Sequence, residues 1–245
     1  MPHPAAVNSD LSYSKRESWK MFNDISGRYD FLNKFLSFGL DIGWRNRLSR
    51  YLPKNSNLKL LDLATGTGDV ILTLMKRCPR ITSAVGIDMA DQMLEIGRKK
   101  VEQAGFAQKI KLQPGNANHT MFDHDIFDAV TIAFGIRNVP EPMRVLAEMQ
   151  RVLKKGGRAL VLEFSIPQNP IIKAVSLFYL RNILPFLGAF ISGNPKAYRY
   201  LNQTVEIFPH GEEFCAMLEE AGFQNVKAIP LTFGIATIYQ GEKIL

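Results

Sequence analysis

The sequence is poor in cysteine: Cys78 and Cys215 are the only two among 245 residues. Two thiols so placed build no disulfide framework and lack the spacing of a zinc or redox motif. They point to a reducing compartment, so the cytoplasm is the expected location and no metal is expected. Also missing is an uninterrupted apolar run of membrane-spanning length. Segment 171–192, "IIKAVSLFYLRNILPFLGAFIS", comes nearest, but Lys173, Arg181, Asn182 and Pro185 break it, and a span needs about 20 predominantly apolar residues. Residues 1–13 have no basic start followed by an apolar stretch, so they read as a loose tail rather than a signal peptide. No internal repeat is visible. What is present, 46% hydrophobic and 22% charged residues, is the composition of a globular protein with a substantial core.

The net charge of +7 is unevenly placed. Residues 1–57 carry nine Lys/Arg against five Asp/Glu, residues 167–208 carry four against one, and the rest of the chain balances. Either flank could face nucleic acid, anionic lipid or a charged substrate, or could be a solvated basic face. The expected organisation is an N-terminal tail and helical cap over 1–57, followed by one domain over 58–245 with a helical lid insert at about 167–210.

Between the flanks, apolar strands alternate with amphipathic helices. Strands are expected at 58–64, 83–88, 109–115, 126–135 and 158–166, and helices at 68–78, 90–105 and 141–157, the last closed by glycine. This pattern implies a parallel sheet covered on both faces. The end differs: a helix at 211–223 precedes "QNVKAIPLT" and "GIATIYQGEKI", separated only by Phe233. Strands joined so tightly must be antiparallel. The expected fold class is therefore α/β, a Rossmann-like seven-stranded, mostly parallel sheet with an antiparallel last strand, as in class I S-adenosylmethionine-dependent methyltransferases.

"LDLATGTGDV" (61–70) places Gly66 and Gly68 where the first strand turns into the first helix. A dinucleotide loop of the form G-x-G-x-x-G would need a third glycine at Ile71, so that fingerprint fails. Asp62 with Ala64, Gly66 and Gly68 instead fits an S-adenosylmethionine loop. Asp88 ends the second strand about twenty residues later, where an acid meets ribose hydroxyls; it could equally cap the next helix ahead of Met89. Asn116 and Ala117 end the third strand beside the expected adenine position, although Asn116 could simply make an Asx-turn. The fourth strand runs into "FGIRNV", so Arg137 and Asn138 would lie where a methyl acceptor meets the sulfonium. The alternative is that Arg137 pairs with a nearby acid such as Glu141 or Glu163.

The flanks bear on the acceptor. Segment 171–192 suits an amphipathic lid or interfacial helix, or a core helix pair. Residues 19–48 interleave aromatic and basic residues, which can serve nucleic acid or a greasy ligand near anionic lipid. With no RNA-binding module or long basic run in view, the lipid-like ligand ranks first and nucleic acid is not expected. Peripheral membrane contact and a homo-oligomer stay open.

The stretches "YDFLNKFLSFGLDIGW" (29–44), "LDLATGTGD" (61–69), "GNA" (115–117), "FGIRNV" (134–139), "RVLKKGG" (151–157) and "LEFSIP" (162–167) resemble the menaquinone/ubiquinone biosynthesis C-methyltransferases. The likeness runs from about Phe22 to the C-terminus, and its first and fourth motifs are the most specific. It implies methylation of a reduced polyprenyl quinone ring, with cofactor contacts at Thr67, Asp88, Asn116 and Ala117. The expected cofactor set is then Asp62, Ala64, Gly66, Thr67, Gly68, Asp88, Met89, Asn116, Ala117 and Ala133. Asp41 stands where many members have His, and Asn116 where many ubiquinone-type members have Asp.

Ring methylation needs a nucleophilic carbon, which a hydroquinone gains when a hydroxyl loses its proton. Arg137 would stabilise the oxyanion and Asn138 orient the hydroxyl or a water. Asp41, His119, Tyr29, Tyr200 or a water could take the proton, with Asp41 carried forward as a catalytic candidate.

Overall fold

The computed structural model describes residue 15 and residues 17–186 and 195–244. The tail at 1–13 lies outside the described residues, as does 187–194 within the expected lid. The N-terminal flank forms α1 (Ser18–Leu36) and α2 (Leu40–Leu48), then a short 3₁₀ turn. The sheet alternation follows as β1 (Leu58–Leu63), α3 (Asp69–Arg77), β2 (Ile81–Asp88), α4 (Asp91–Gln103), β3 (Ile110–Pro114) and β4 (Phe127–Ala133). A 3₁₀ turn at Ile136–Asn138 leads to α5 (Pro142–Val152) and β5 (Leu153–Phe164). Next come α6 (Pro170–Phe178), a π-helical turn (Tyr179–Ile183), α7 (Pro195–Ile207) and α8 (Glu212–Glu220), and β6 (Gln224–Leu231) and β7 (Ala236–Glu242) complete the sheet.

The seven strands lie in the order β3-β2-β1-β4-β5-β7-β6. Only β7 runs against its neighbours, pairing antiparallel with both β5 and β6. Strand alternation divides the core. Leu58, Leu60, Leu160 and Leu162 pack with α2, α3 and α4 on one face, whereas Leu61, Leu63, Ala159 and Val161 pack with α5 and α8 on the other. Each fully buried leucine is worth roughly 1.5–3 kcal/mol over leaving it in water, and both faces are covered this way, which is why these strands read as continuous apolar runs.

Two boundaries differ from the sequence expectation. The helix of 141–157 ends at Val152, and the fifth strand starts at Leu153 rather than 158 and ends at Phe164. "KKGG" forms a bulge inside β5, not a helix stop. Gly156 takes a left-handed φ of +77°, and the pairing jumps from Phe127–Leu153 to Ala129–Arg158. Lys243 holds the bulge through backbone bonds with Gly156 and Gly157, a long-range contact invisible to helical periodicity. The β6–β7 link is likewise longer than one residue, running from Thr232 to Ile235.

The sequence suggested either a lid or a core pair for 171–192. Helix α6 buries none of its side chains, so this part is not core. No helix among the described residues is long and apolar enough to cross a membrane.

Asp62 is the polar exception in the core. It shares a face of β1 with Leu58 and Leu60 and is 1% exposed. The Thr131 hydroxyl on β4 donates to one carboxylate oxygen at 2.5 Å and the Thr65 hydroxyl to the other at 2.6 Å. Asp62 thereby ties the glycine loop to the two central strands. Burial pushes its carboxyl up from 3.8 to about 6, partly opposed by the two hydroxyl donors. Because folding raises this pKa, the stabilisation it gives is complete below about pH 4 and is lost as pH rises through about 6. The expected outcome for Asp62→Asn, which cannot ionise, is a gain relative to wild type of about 2–3 kcal/mol on going from pH 4 to pH 7. Denaturant unfolding of both proteins at the two pH values measures it; a difference independent of pH would mean that Asp62 titrates normally in the fold.

Candidate active site

Two cavities open at the carboxyl ends of the strands, where strand order reverses between β1 and β4 and ligands of open α/β sheets bind. The first, about 480 Å³, is the more polar. Ala64 and Gly66 from the glycine loop, Asp88 and Met89 after β2, Asn116 and Ala117 after β3, and Ala133 at the end of β4 all line it. Seven of the ten residues expected at a cofactor are therefore brought together around one cavity. The sharp turn that places them needs positive φ at Gly66 (+55°) and Gly68 (+78°), a conformation that glycine adopts without steric cost.

The other three do not line this cavity. Asp62 lies beneath the loop as described. The Thr67 hydroxyl turns away, donating to Asp30 on α1 at 2.6 Å and accepting from Lys100 on α4 at 3.0 Å. Gly68 caps the start of α3, where an added Cβ would lie in contact with Leu112 and Ile71.

Asp88 accepts the Gly66 N–H on one oxygen and the Ala90 N–H on the other, both at 2.8 Å, so it braces the turn into α4 and lines the cavity at once; the N-cap of α4 is Ala90, not Asp88. Burial pushes its carboxyl up, against the backbone donors. Asn116 makes the Asx-turn, accepting the Asn118 N–H at 2.9 Å. Asn118, which the sequence did not single out, also lines the cavity, and its Oδ1 is buried without a partner among the described residues. Lys15, Ser18, Trp19 and Phe22 close the cavity from the N-terminal side. The interleaved aromatic and basic residues of 19–48 hinted at Trp19 and Phe22, and nothing in the sequence singled out Lys15 or Ser18.

The second cavity, about 340 Å³, is strongly apolar. Helix α1, the α1–α2 turn, the β5 exit and α6 build it, with Met21, Ile25, Phe38, Trp44, Phe164 and Leu180 among its walls. Phe22, Tyr29 and Phe134 line both cavities, so the two adjoin. Arg137 faces the apolar cavity and Asn138 the polar one.

Arg137 is both paired and aimed. Nη1 donates to Glu163 Oε1 and to the Phe134 carbonyl, each at 2.6 Å. The guanidinium also lies 5.2 Å from the centre of the Phe164 ring, a cation–π distance. The partner expected as one alternative, Glu163, is therefore real, whereas Glu141 pairs with Arg144. Asn138 is buried; its amide nitrogen donates to the Phe134 carbonyl and its Oδ1 has no partner among the described residues.

Among the groups considered as bases, Asp41, Tyr29 and Tyr200 line the apolar cavity. His119 is exposed and lines neither. Both Asp41 oxygens are engaged, by the Ser37 hydroxyl at 2.8 Å and by Arg45. Burial pushes the Tyr200 phenol up to about 12 and raises Tyr29 too, so both stay protonated at neutral pH. Among the described residues no group of three or more His, Cys, Asp or Glu could hold a metal ion.

Residues 11–243 match the ubiE/COQ5 methyltransferase family. A relative from Geotalea uraniireducens, named ubiquinone/menaquinone biosynthesis C-methyltransferase UbiE, is 45% identical over 91% of this chain and 95% of its own. Another from Thermus thermophilus, named demethylmenaquinone methyltransferase, is 45% identical over 91% of this chain and 100% of its own. A solved SAM-dependent methyltransferase from Thermotoga maritima shares the fold, with TM-score 0.62 and 20% identity over 92% of this chain and 99% of its own. The match along nearly the whole length makes this chain a member of the ubiE/COQ5 methyltransferase family.

Proposed function

We propose that this protein transfers a methyl group from S-adenosylmethionine to a ring carbon of a reduced polyprenyl quinone, converting a demethylmenaquinol to the menaquinol. The observation that carries this reading is the pair of adjoining cavities, one polar and one apolar, with Arg137 and Asn138 at their junction. Membership of a family whose relatives include a demethylmenaquinone methyltransferase supports it.

The polar cavity fits the cofactor. Asp88 presents a carboxylate beside the glycine loop, suited to ribose hydroxyls, and Asn118 Oδ1 is a buried acceptor still lacking a donor, suited to an amino group such as that of adenine. Gly66, Met89, Asn116, Ala117 and Ala133 would line the remainder, and Asp62, Thr67 and Gly68 would act by holding the loop. When bound, S-adenosylmethionine supplies an electrophilic methyl on a sulfonium.

The chain's own part is to bind, orient and ionise the acceptor. The apolar cavity takes the ring and the start of the tail, excluding water from the reacting carbon. Arg137 stabilises the negative charge that develops on the ring oxygen, and Asn138 orients the hydroxyl or a water. The phenols of Tyr29 and Tyr200 stay protonated and so act as donors. Asp41, already bonded to Ser37 and Arg45, suits the role of orienting the cavity wall better than that of a free base.

Peripheral contact with a membrane is part of the same reading. Phe38, 77% exposed, and Val175, 64% exposed, line the apolar cavity and also face outward. Ile171 and Phe178 on α6 and Phe31 and Phe35 on α1 are exposed as well, and Phe38 packs against Tyr179 at 5.8 Å, joining the two segments. Lys34 and Lys173 are exposed on the same helices, as suits anionic lipid.

Three outcomes are expected. Labelled methyl transfer from S-adenosylmethionine should occur to chemically reduced demethylmenaquinone and not to the oxidised form; tight cofactor binding without transfer would send the search to other acceptors. Arg137→Ala should lose about 10²–10³-fold in kcat with cofactor affinity by calorimetry unchanged, whereas full turnover would leave Arg137 a purely structural ion-pair partner. In flotation with vesicles containing anionic lipid, Ile171→Ser/Phe178→Ser should bind less than wild type. These two side chains line neither cavity, so intact transfer to a detergent-solubilised quinol would separate docking from catalysis.

A further inference from the structure

Arg137 and Glu163 are a buried charge pair whose two members have different outlooks. Their side chains are 6% and 1% exposed. Arg137 lines the apolar cavity and Glu163 does not; the carboxylate stands behind the guanidinium. Glu163 Oε1 accepts from Arg137 Nη1 at 2.6 Å and from the Phe164 N–H at 2.8 Å. Glu163 Oε2 and Arg137 Nε are both buried without a partner among the described residues.

A lone guanidinium facing an apolar cavity would be an uncompensated buried charge, which is strongly unfavourable. With Glu163 behind it the pair is neutral, so an uncharged ring can enter without meeting net charge. The same carboxylate opposes any anion that later forms beside Arg137. Every other ionisable group at the pair bears on this balance. Lys15 and Tyr239 act on Glu163, and Lys15, Tyr29 and Tyr200 act on Arg137. The phenols are kept neutral by burial, with Tyr239 and Tyr200 pushed up to about 12. Lys15 is pulled below its ordinary range, first by burial and then by Arg137. Burial raises the Glu163 carboxyl as well, with Arg137 opposing.

We propose that Glu163 is a positioning residue for the acceptor site: it holds the Arg137 guanidinium at the cavity wall and sets how readily a ring hydroxyl bound there loses its proton. This rests on the reading of the apolar cavity as the place of a hydroxylated ring. Glu163 thus acts through Arg137, and ionisation of the acceptor amounts to an exchange of partners. The proton leaves the ring oxygen for solvent or a bound water, the electron pair stays on that oxygen, and Arg137 shares its positive charge between Glu163 and the new phenolate.

The test uses 1-naphthol, a hydroxylated bicycle without a tail, bound to the full-length protein. The absorbance of its ionised form reports its ionisation midpoint without any methyl transfer. Glu163→Gln keeps an oxygen for Arg137 and Phe164 but removes the negative charge. The expected result is a midpoint lower than in wild type by about one pH unit, a tenfold change in ionisation constant. Glu163→Asp, which keeps the charge, should stay near the wild-type midpoint. Bound naphthol with the same midpoint in wild type and Glu163→Gln would overturn the proposal and leave the cavity assignment standing. Should Glu163→Gln not fold, Glu163→Ser takes its place, since it too removes the charge: a fall of about one unit supports the proposal, and an unmoved midpoint overturns it. Failure of naphthol to bind wild type would overturn both this proposal and the acceptor reading beneath it.

Discussion

Everything at this site depends on how the carboxyl ends of β1 and β4 are held together. Strand order reverses there, because β2 and β3 extend the sheet to one side of β1 and β4 and β5 to the other. A crevice follows from that topology alone. Backbone pairing of β1 with β4 sets its register, and Asp62, buried in β1 between the hydroxyls of Thr65 and Thr131, adds a side-chain tie across it. One carboxylate thus fixes the glycine loop to the strand that delivers Arg137 and Asn138. Burying an acid is expensive, and the raised pKa of Asp62 is the measure of that cost.

The second organising feature is a chain of charges that runs from the wall of the apolar cavity to the glycine loop. Asp41 pairs with Arg45, Arg45 approaches Asp69, and Asp69 pairs with Lys100, which also holds Asp30. Asp30 in turn accepts the Thr67 hydroxyl. Helices α1 and α2, which wall the apolar cavity, are by this route attached to the loop that walls the polar one. Exposed pairs of this kind contribute little singly. Linked in series and partly buried, they fix the orientation of α1, whose Phe22 and Tyr29 separate the two cavities.

Much of the fold was legible because parallel strands covered on both faces leave a coarse trace, an apolar run followed by an amphipathic helix. The boundaries that slipped, at "KKGG" and at Phe233, are places where distant backbone decides local conformation: Lys243 reaches back to Gly156 and Gly157, and no window of neighbouring residues contains both. The same holds for the site. Asp88 and Asn116 were visible as polar residues ending apolar strands. Asn118 was not, since nothing in "NANHT" says which asparagine turns inward. Thr67 sits in the most recognisable loop of the sequence, yet its hydroxyl points into the α1–α4 seam.

By itself the sequence determined the class of fold, the glycine loop with its failed dinucleotide fingerprint, and the presence of an arginine at the end of a core strand. These are local properties, written in periodicity and in the side chains that strand ends and tight turns demand. Only the tertiary structure decided what that arginine does with its charge. Pairing with Glu163 and facing the apolar cavity looked like alternatives in one dimension. In the folded chain they coexist, because a guanidinium is planar and has several donors: one edge rests on a buried carboxylate from the adjacent strand while the group still forms part of the cavity wall.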